Sequence, residues 1–288
     1  MAELTALVVL AAGRARRYGG VKPLAPIGPA GEAVIDLLAG DALRAGFGEI
    51  VLVVNPDTGS LIREHVASAW PGSVDVRFAV QERPLGTVHA VLAAHDAVER
   101  SAPFGVANAD DLYGGDALRV LGQHFEEHAT NCLVGFRLDN ALVGDLPVTR
   151  GVCTVADGNL VSIAERRHVR LVDGTFRSLD GRDPEVLDPS ALVSMNLWGF
   201  APQMWEVLAR AMADATEASE DNEVLLPELV SNLVGGIFPA DEGLRRCRVL
   251  ATQSRCIGVT HADDLALVRS DIAEQVARGE RPLEAFPA

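Results

Sequence analysis

The chain has 288 residues, 48% hydrophobic and 23% charged, with 40 Asp and Glu against 25 Lys and Arg for a formal net charge of −15. That length buries a substantial core without disulfide staples, and the composition is that of a folded globular protein rather than a disordered or fibrous one. The acidic balance disfavours nucleic acid, whose binding depends on clustered Lys and Arg, and no apolar stretch approaches the ~20 residues that span a bilayer.

The chain opens into a strand-like segment over residues 5–11, without a basic leader or cleavage site, so a cytoplasmic protein is expected. The apolar run from Leu4 to Leu10, broken only by Thr5, ends in Ala11-Ala12-Gly13, the pattern of a parallel strand buried on both faces and stopped by a glycine turn. Apolar residues at helical spacing follow over 32–45, stopped by Gly46 and Gly48, and the next buried strand covers 50–54. A helix over 58–69, a strand over 74–80, a helix over 87–98 and a strand over 104–107 continue the alternation. It predicts an α/β fold with a mostly parallel sheet, right-handed crossovers and helices on both faces.

After a helix over 116–128 the rhythm changes. Strand-like pieces at 133–137, 151–155, 160–164 and 192–200, separated by short polar turns, predict antiparallel strands added to the parallel core. The stretch 173–189, rich in Asp, Gly, Arg and Pro, reads as a mobile loop, and helices are expected over 202–213, 224–234 and 262–277. Cys132, Cys153, Cys247 and Cys256 form no CxxC pair and read as buried or incidental thiols.

Three stretches carry chemistry. The first strand runs into Gly13-Arg14-Ala15-Arg16-Arg17-Tyr18-Gly19-Gly20-Val21-Lys22-Pro23 at the end where open α/β sheets place ligands. Glycine lets backbone approach phosphate, and Arg and Lys supply fixed positive charge; a solvated turn holding four basic residues is the bland alternative. Gln81 to Thr87 leaves a strand and opens a helix, where an amide can pair with a base edge, or where Thr87 simply sits near a cap. Asn108-Ala109-Asp110-Asp111 puts carboxylates at a strand terminus, which suits Mg²⁺ with its one or two carboxylates and phosphate oxygens. An acidic pair capping the following helix is the alternative there.

The first stretch resembles the signature loop of the sugar-1-phosphate nucleotidyltransferases, L-A-A-G-x-G-x-R followed by P-K. Leu10, Ala11, Ala12 and Gly13 match it, Arg17 falls on the signature arginine and Lys22 on the signature lysine, while Ala15 replaces the second glycine and Lys22 precedes its proline. The resemblance implies a Rossmann-like, nucleotide-diphospho-sugar transferase type of fold over 1–288 as a single domain. Its nucleotide-binding half would cover 1–130, its acceptor half 131–240, and a C-terminal strand and helix 241–288. It implies that Leu10 to Arg14, Gln81, Gly86 and Thr87 bind the nucleotide, with UTP or dTTP favoured and GTP the competitor. Arg17, Lys22 and Asp110 would be catalytic, and Mg²⁺ would sit on Asp110, with Asp111 in reserve.

Gly151, Glu165 and Asn196 fall in the order of the family's acceptor-binding residues, and Arg166 follows Glu165 where several members carry a lysine that meets the acceptor phosphate. Asp263 and Asp264 resemble a closing segment that in some members supplies a second metal ligand, and they would equally make an acidic first turn for the last helix. His124-Phe125-Glu126-Glu127-His128 fits an H-x-x-E-H zinc pattern, a short motif that an exposed polar helix face explains. The expected partners are a nucleoside triphosphate and a sugar-1-phosphate; the oligomeric state is left open, a homo-oligomer included. A cytidylyltransferase acting on a non-sugar phosphate, a GT-A glycosyltransferase and a non-catalytic nucleotide-sugar sensor are the competing readings.

Overall fold

The computed structural model describes residues 5–13, 20–142, 146–215, 222–258 and 265–287. Its first half alternates as expected: β1 (Ala6–Leu10), α1 (Val34–Arg44), β2 (Glu49–Val54), α2 (Gly59–Ala69), β3 (Val76–Val80), α3 (Thr87–Ala93) and β4 (Phe104–Asn108). A two-residue strand β5 (Asp111–Leu112) and helix α4 (Gly115–Glu127) follow. The second half contains β6 (Cys132–Arg137), β7 (Val148–Ala156), β8 (Asn159–Val172), β9 (Thr175–Ser178) and β10 (Leu192–Phe200). It closes with α5 (Met204–Asp214), α6 (Leu226–Val234), α7 (Glu242–Arg245), β11 (Arg248–Thr252), β12 (Ile257–Gly258) and α8 (Leu265–Ala277).

Among the described residues ten strands form one sheet, in the order β3-β2-β1-β4-β10-β6-β11-β8-β7 with β9 beside β8, and β5 pairs with β12 in a separate ribbon. The strands β3, β2, β1 and β4 are parallel, β10 enters antiparallel between β4 and β6, and β6 and β11 are again parallel to each other. The chain leaves β1 toward β2 on one side and returns to β4 on the other. Such a reversal opens a crevice at the carboxyl ends of β1 and β4, where open α/β sheets bind ligands.

Apolar burial on both faces of this sheet explains the continuous hydrophobic runs of β1 and β2, every residue of which from Ala6 to Val9 and from Glu49 to Val54 is buried. One face packs Leu7, Val9, Leu38, Leu52 and Leu118, and the other packs Val8, Val53, Val106, Trp198 and Leu208. Phe104 stacks on Trp205 with ring centroids 4.1 Å apart and anchors α5 to the second face. Two buried carboxylates, Asp36 and Asp41, are satisfied in place. The Asp36 carboxylate accepts from Ala33 N at 2.7 Å, Trp70 Nε1 at 2.7 Å and His65 Nε2 at 2.8 Å, which ties the start of α1 to α2 and its end. Arg281 donates twice to Asp41, at 3.0 and 2.7 Å, and holds the C-terminal segment against α1.

Several expectations need correction. The helix expected over 87–98 ends at Ala93, because turns take over through residue 97. The strands expected at 151–155 and 160–164 are the middle of a long hairpin, β7 and β8, whose outer parts have one solvent face and so lack an unbroken apolar run. The stretch 173–189, expected to be a mobile loop, contains β9 and an additional bridge between Arg177 and Val186. Residues 262–264 of the last expected helix lie outside the described residues, and α8 is described from Leu265. His124 is buried, its Nε2 3.1 Å from the Thr130 carbonyl, so the H-x-x-E-H segment is not simply an exposed face. All four cysteines are free, and Cys132, Cys247 and Cys256 are buried. Among the described residues no helix is long and apolar enough to cross a membrane.

Candidate active site

Two cavities lie side by side at the crevice. The first, about 410 Å³, is lined by Leu10, Gly13, Gln81, Thr87, Asp110 and Asn196, with Ala12, Gly86 and Asn108 completing its walls. The second, about 430 Å³, is lined by Gly151, Glu165, Arg167, Arg182, Ser194 and again Asn196. Most residues predicted for a nucleotide site therefore converge on the first cavity, and three of the four predicted for an acceptor converge on the second. Ala11 is buried behind the loop. Arg14, Arg17, Asp263 and Asp264 lie outside the described residues.

The first cavity is built by strand ends. Ala11 N donates to the Val53 carbonyl at 2.8 Å, and Asn55 Nδ2 donates to the Ala12 carbonyl at 3.0 Å, so the loop leaving β1 is fastened to the end of β2. Asn55 Oδ1 accepts from the backbone of Asp57 and Thr58, both at 2.9 Å, and is thereby held in place. Sequence reasoning passed over Asn55, although an Asn-Pro-Asp-Thr run after a strand is an Asx-turn signal.

Gln81 has a fixed orientation. Its Nε2 donates to the Gly86 carbonyl at 3.1 Å and faces His89 Nδ1 at 3.2 Å, and a carbonyl can only accept. Burial lowers the pKa of His89, which keeps the ring neutral and able to accept at that nitrogen. The amide nitrogen is thus occupied inside the loop, and Oε1 is the end left to meet a ligand. Gly86 has φ 102°, and a side chain there would collide with the backbone of Val224, which pairs with Leu85 and Val88 at 2.9 and 3.0 Å. Thr87 Oγ1 accepts from Leu226 N at 2.8 Å and so starts α6. Glu223, on the same stitched segment, also lines the cavity; nothing local in the sequence marks it.

At the end of β4, Lys22 Nζ lies 3.7 Å from Asp110 Oδ2. Burial raises the Asp110 pKa, with the Lys22 charge pulling the other way. Asp111 turns elsewhere: it does not line the cavity, accepts from Asn108 Nδ2 at 3.0 Å and pairs in backbone register with Gly258. Burial, and then the charge of Asp110, push its carboxyl up to about 7. Among the described residues no group of three or more His, Cys, Asp or Glu is gathered to hold a metal.

Asn196 sits at a break in the β10 register between Ser194 and Trp198, with φ 58°, a left-handed conformation that Asn tolerates better than most side chains. Trp198 Nε1 donates to its Oδ1 at 3.2 Å. The bulge swings Asn196 out of the strand and into the wall shared by both cavities.

In the second cavity the sequence expectation for Arg166 fails. Arg166 is 4% exposed and binds Asp180 through Nε at 3.0 Å and Nη2 at 3.2 Å, with the carbonyls of Arg182 and Pro184 at 2.8 and 2.9 Å. Its Nε and Nη2 pin residues 180–184 to β8, because alternation along a strand sends adjacent side chains to opposite faces. Arg167 and Arg182 face the cavity instead, and Arg167 Nε donates to Glu165 Oε1 at 2.9 Å.

A parallel half in the order β3-β2-β1-β4, a glycine-ended first strand and a carboxylate at the end of β4 define a nucleotide-binding α/β protein with a second, adjoining pocket. Residues 7–222 match the family model of the MobA-like NTP transferase domain, and the chain belongs to that family of nucleotidyltransferases. It is 28% identical over 162 residues to the bifunctional protein GlmU of Rhizobium etli, an alignment covering 56% of this chain and 34% of that protein. The chain thus spans about a third of the length of that relative. Its fold is similar to that of the inositol-1-phosphate CTP transferase from T. maritima, with TM-score 0.66 and 16% identity over 94% of this chain and 97% of that one. It is also similar to UDP-glucose pyrophosphorylase complexed with UDP-glucose, with TM-score 0.64 and 15% identity over 95% and 100% of the two chains.

Proposed function

We propose that the protein transfers a nucleoside monophosphate from a nucleoside triphosphate to a sugar-1-phosphate and releases pyrophosphate. The observation that carries this reading is Asn196, which borders both cavities and leaves the two substrates one side chain apart. In the reaction an acceptor phosphate oxygen attacks the α-phosphorus in line, the bond to the β-phosphate bridging oxygen breaks, and that oxygen leaves with its electron pair on pyrophosphate. Positioning and charge neutralisation supply most of what such a step needs, and no protein nucleophile is required.

The base would lie against Gln81, whose free Oε1 accepts from a ring N–H. Uracil and thymine offer that donor at N3, which favours UTP or dTTP, with GTP the competitor through its own ring N–H. Lys22, and Arg17 from the same loop, would stabilise the charge that develops on the pyrophosphate side. Gly151, Glu165 and Asn196 would hold the sugar, and Arg167 and Arg182 its phosphate.

The residues at the end of β4 fit Mg²⁺: Asp110 offers hard oxygen donors into the cavity, its side chain 39% exposed, and among the described residues its one ion-pair partner is the Lys22 ammonium at 3.7 Å. When bound there, Mg²⁺ neutralises phosphate charge. The reading is tested with a panel of triphosphates against sugar-1-phosphates and inositol-1-phosphate, followed by pyrophosphate release. Release with UTP or dTTP and a sugar-1-phosphate supports it. Release only with CTP and a non-sugar phosphate favours the cytidylyltransferase, and triphosphate binding without release favours a sensor.

A further inference from the structure

Carboxylates outnumber basic side chains 40 to 25 in this chain, yet one cavity of about 620 Å³ is walled by Arg245, Arg246, Arg248, His124 and His128, and none of its described lining residues is acidic. It lies at the start of β6 and β11, the sheet edge opposite the carboxyl ends of β1 and β4. It is therefore separate from both cavities of the active site.

The cavity is held open by contacts that do not use its cations. Asn131 Nδ2 donates to the Leu244 carbonyl at 2.9 Å, its Oδ1 accepts from Ala201 N at 2.9 Å, and Arg248 N donates to the Asn131 carbonyl at 2.9 Å. These bonds fix α7 and the first residue of β11 around the opening. Of the three guanidinium groups, Arg246 meets Glu242 at 2.9 Å in an exposed pair. Those of Arg245 and Arg248 make no ion pair or hydrogen bond among the described residues. Two uncommitted guanidiniums aimed at one cavity on an acidic protein repel each other, and a dianion placed between them relieves that repulsion with charge-assisted, bidentate bonds.

We propose that this cavity is a second anion site, which takes a phosphorylated small molecule. Its volume suits a ligand of metabolite size, for which pockets run about 300–1,000 Å³. Arg245 and Arg248 grip the phosphate, and His128, exposed beside Glu127, borders the remainder of the ligand. Helix α4, about 20 Å long, begins at Gly115, just past the Asp110 loop, carries His124 in its last turn and ends beside His128, so the site and that loop lie at opposite ends of a single helix.

Ring-proton NMR of the seven histidines tests the site at constant ionic strength, with inorganic phosphate, pyrophosphate and glucose 6-phosphate as probes and His124→Gln and His128→Gln variants for assignment. Saturable shifts of the His124 and His128 signals, weakened at least tenfold in an Arg245→Ser/Arg248→Ser variant of unchanged melting temperature, are the expected result. Tighter binding of glucose 6-phosphate than of inorganic phosphate would assign an organic phosphate, and the reverse a free anion. Shifts confined to His89, which touches Gln81 of the first cavity, shifts reproduced by chloride, or shifts that persist in the double variant would overturn the proposal.

Discussion

Tyr113 Oη donates to the Met195 carbonyl across 3.0 Å, a bond between residues 82 positions apart that joins the Asp110 loop to the bulge carrying Asn196. The same oxygen accepts from Asn108 N at 2.8 Å, and the ring is fully buried against Phe136. One phenol therefore sets the distance between the end of β4 and the wall shared by the two cavities. Tyr113→Phe keeps the ring and leaves both backbone groups without that partner, an expected cost of about 1–3 kcal/mol in stability. Turnover should fall with it, because small misplacements of reacting groups are costly. Urea denaturation and steady-state kinetics on the same variant check this; normal values for both would show that the bridge positions nothing.

Asp110→Asn is expected to lower turnover on the order of 10²–10³-fold, the scale seen when one electrostatic stabiliser of a transition state is removed. Asp111→Asn should cost much less activity, since Asp111 faces Asn108 and the Gly258 strand rather than the cavity. Pyrophosphate release in saturating Mg²⁺ compares the two. An activity loss that is larger in the Asp111 variant would reverse the assignment.

Gln81→Leu removes the acceptor for a base N–H and the tie to Gly86. Loss of one hydrogen bond of about 1 kcal/mol predicts several-fold weaker binding of UTP or dTTP. Calorimetric titration of the four triphosphates reads both the loss and the order, and tighter binding of ATP than of UTP by the unmodified protein would exclude the proposed base contact.

Much of the parallel first half was legible because its information is local. Strands β1, β2 and β4 are buried on both faces and read as unbroken apolar runs, and the cavity-lining residues Gly13 and Asp110 come just after β1 and β4, as Gln81 does after the half-buried β3. The mixed second half was less legible because its outcome is settled at long range. The chain gives no local sign that Arg166 will find Asp180, 14 residues away, while Arg167 takes the cavity face. Nor does Ser-Met-Asn-Leu announce the bulge that brings its asparagine into the wall of both cavities. Nor does Gly86 give a local sign that its missing side chain makes room for the backbone of Val224.

The neighbours Arg166 and Arg167 provide the sharpest test of that half. Arg167→Ala should raise the apparent KM for the acceptor while leaving triphosphate binding and melting temperature nearly unchanged, because Arg167 is exposed and its pair with Glu165 is a surface pair of small energetic worth. Arg166→Met should do the opposite and lower the melting temperature, since it strands the Asp180 carboxylate and frees residues 180–184 from β8. The pH dependence separates the two roles further. Arg166, with the backbone N–H groups of Arg167 and Arg182, holds Asp180 well below the usual carboxylate range. A depressed carboxylate stabilises the folded chain above its unfolded pKa of about 3.9 and loses that contribution as pH falls through the lower folded value. The melting-temperature gap between the unmodified protein and Arg166→Met should thus be constant above about pH 5 and narrow as the solution is acidified below about pH 4. Calorimetric scans from pH 7 to 3 check this, and a gap that stays constant to pH 3, or an Arg167→Ala variant that loses stability instead of acceptor affinity, would show that the two arginines have been assigned the wrong way round.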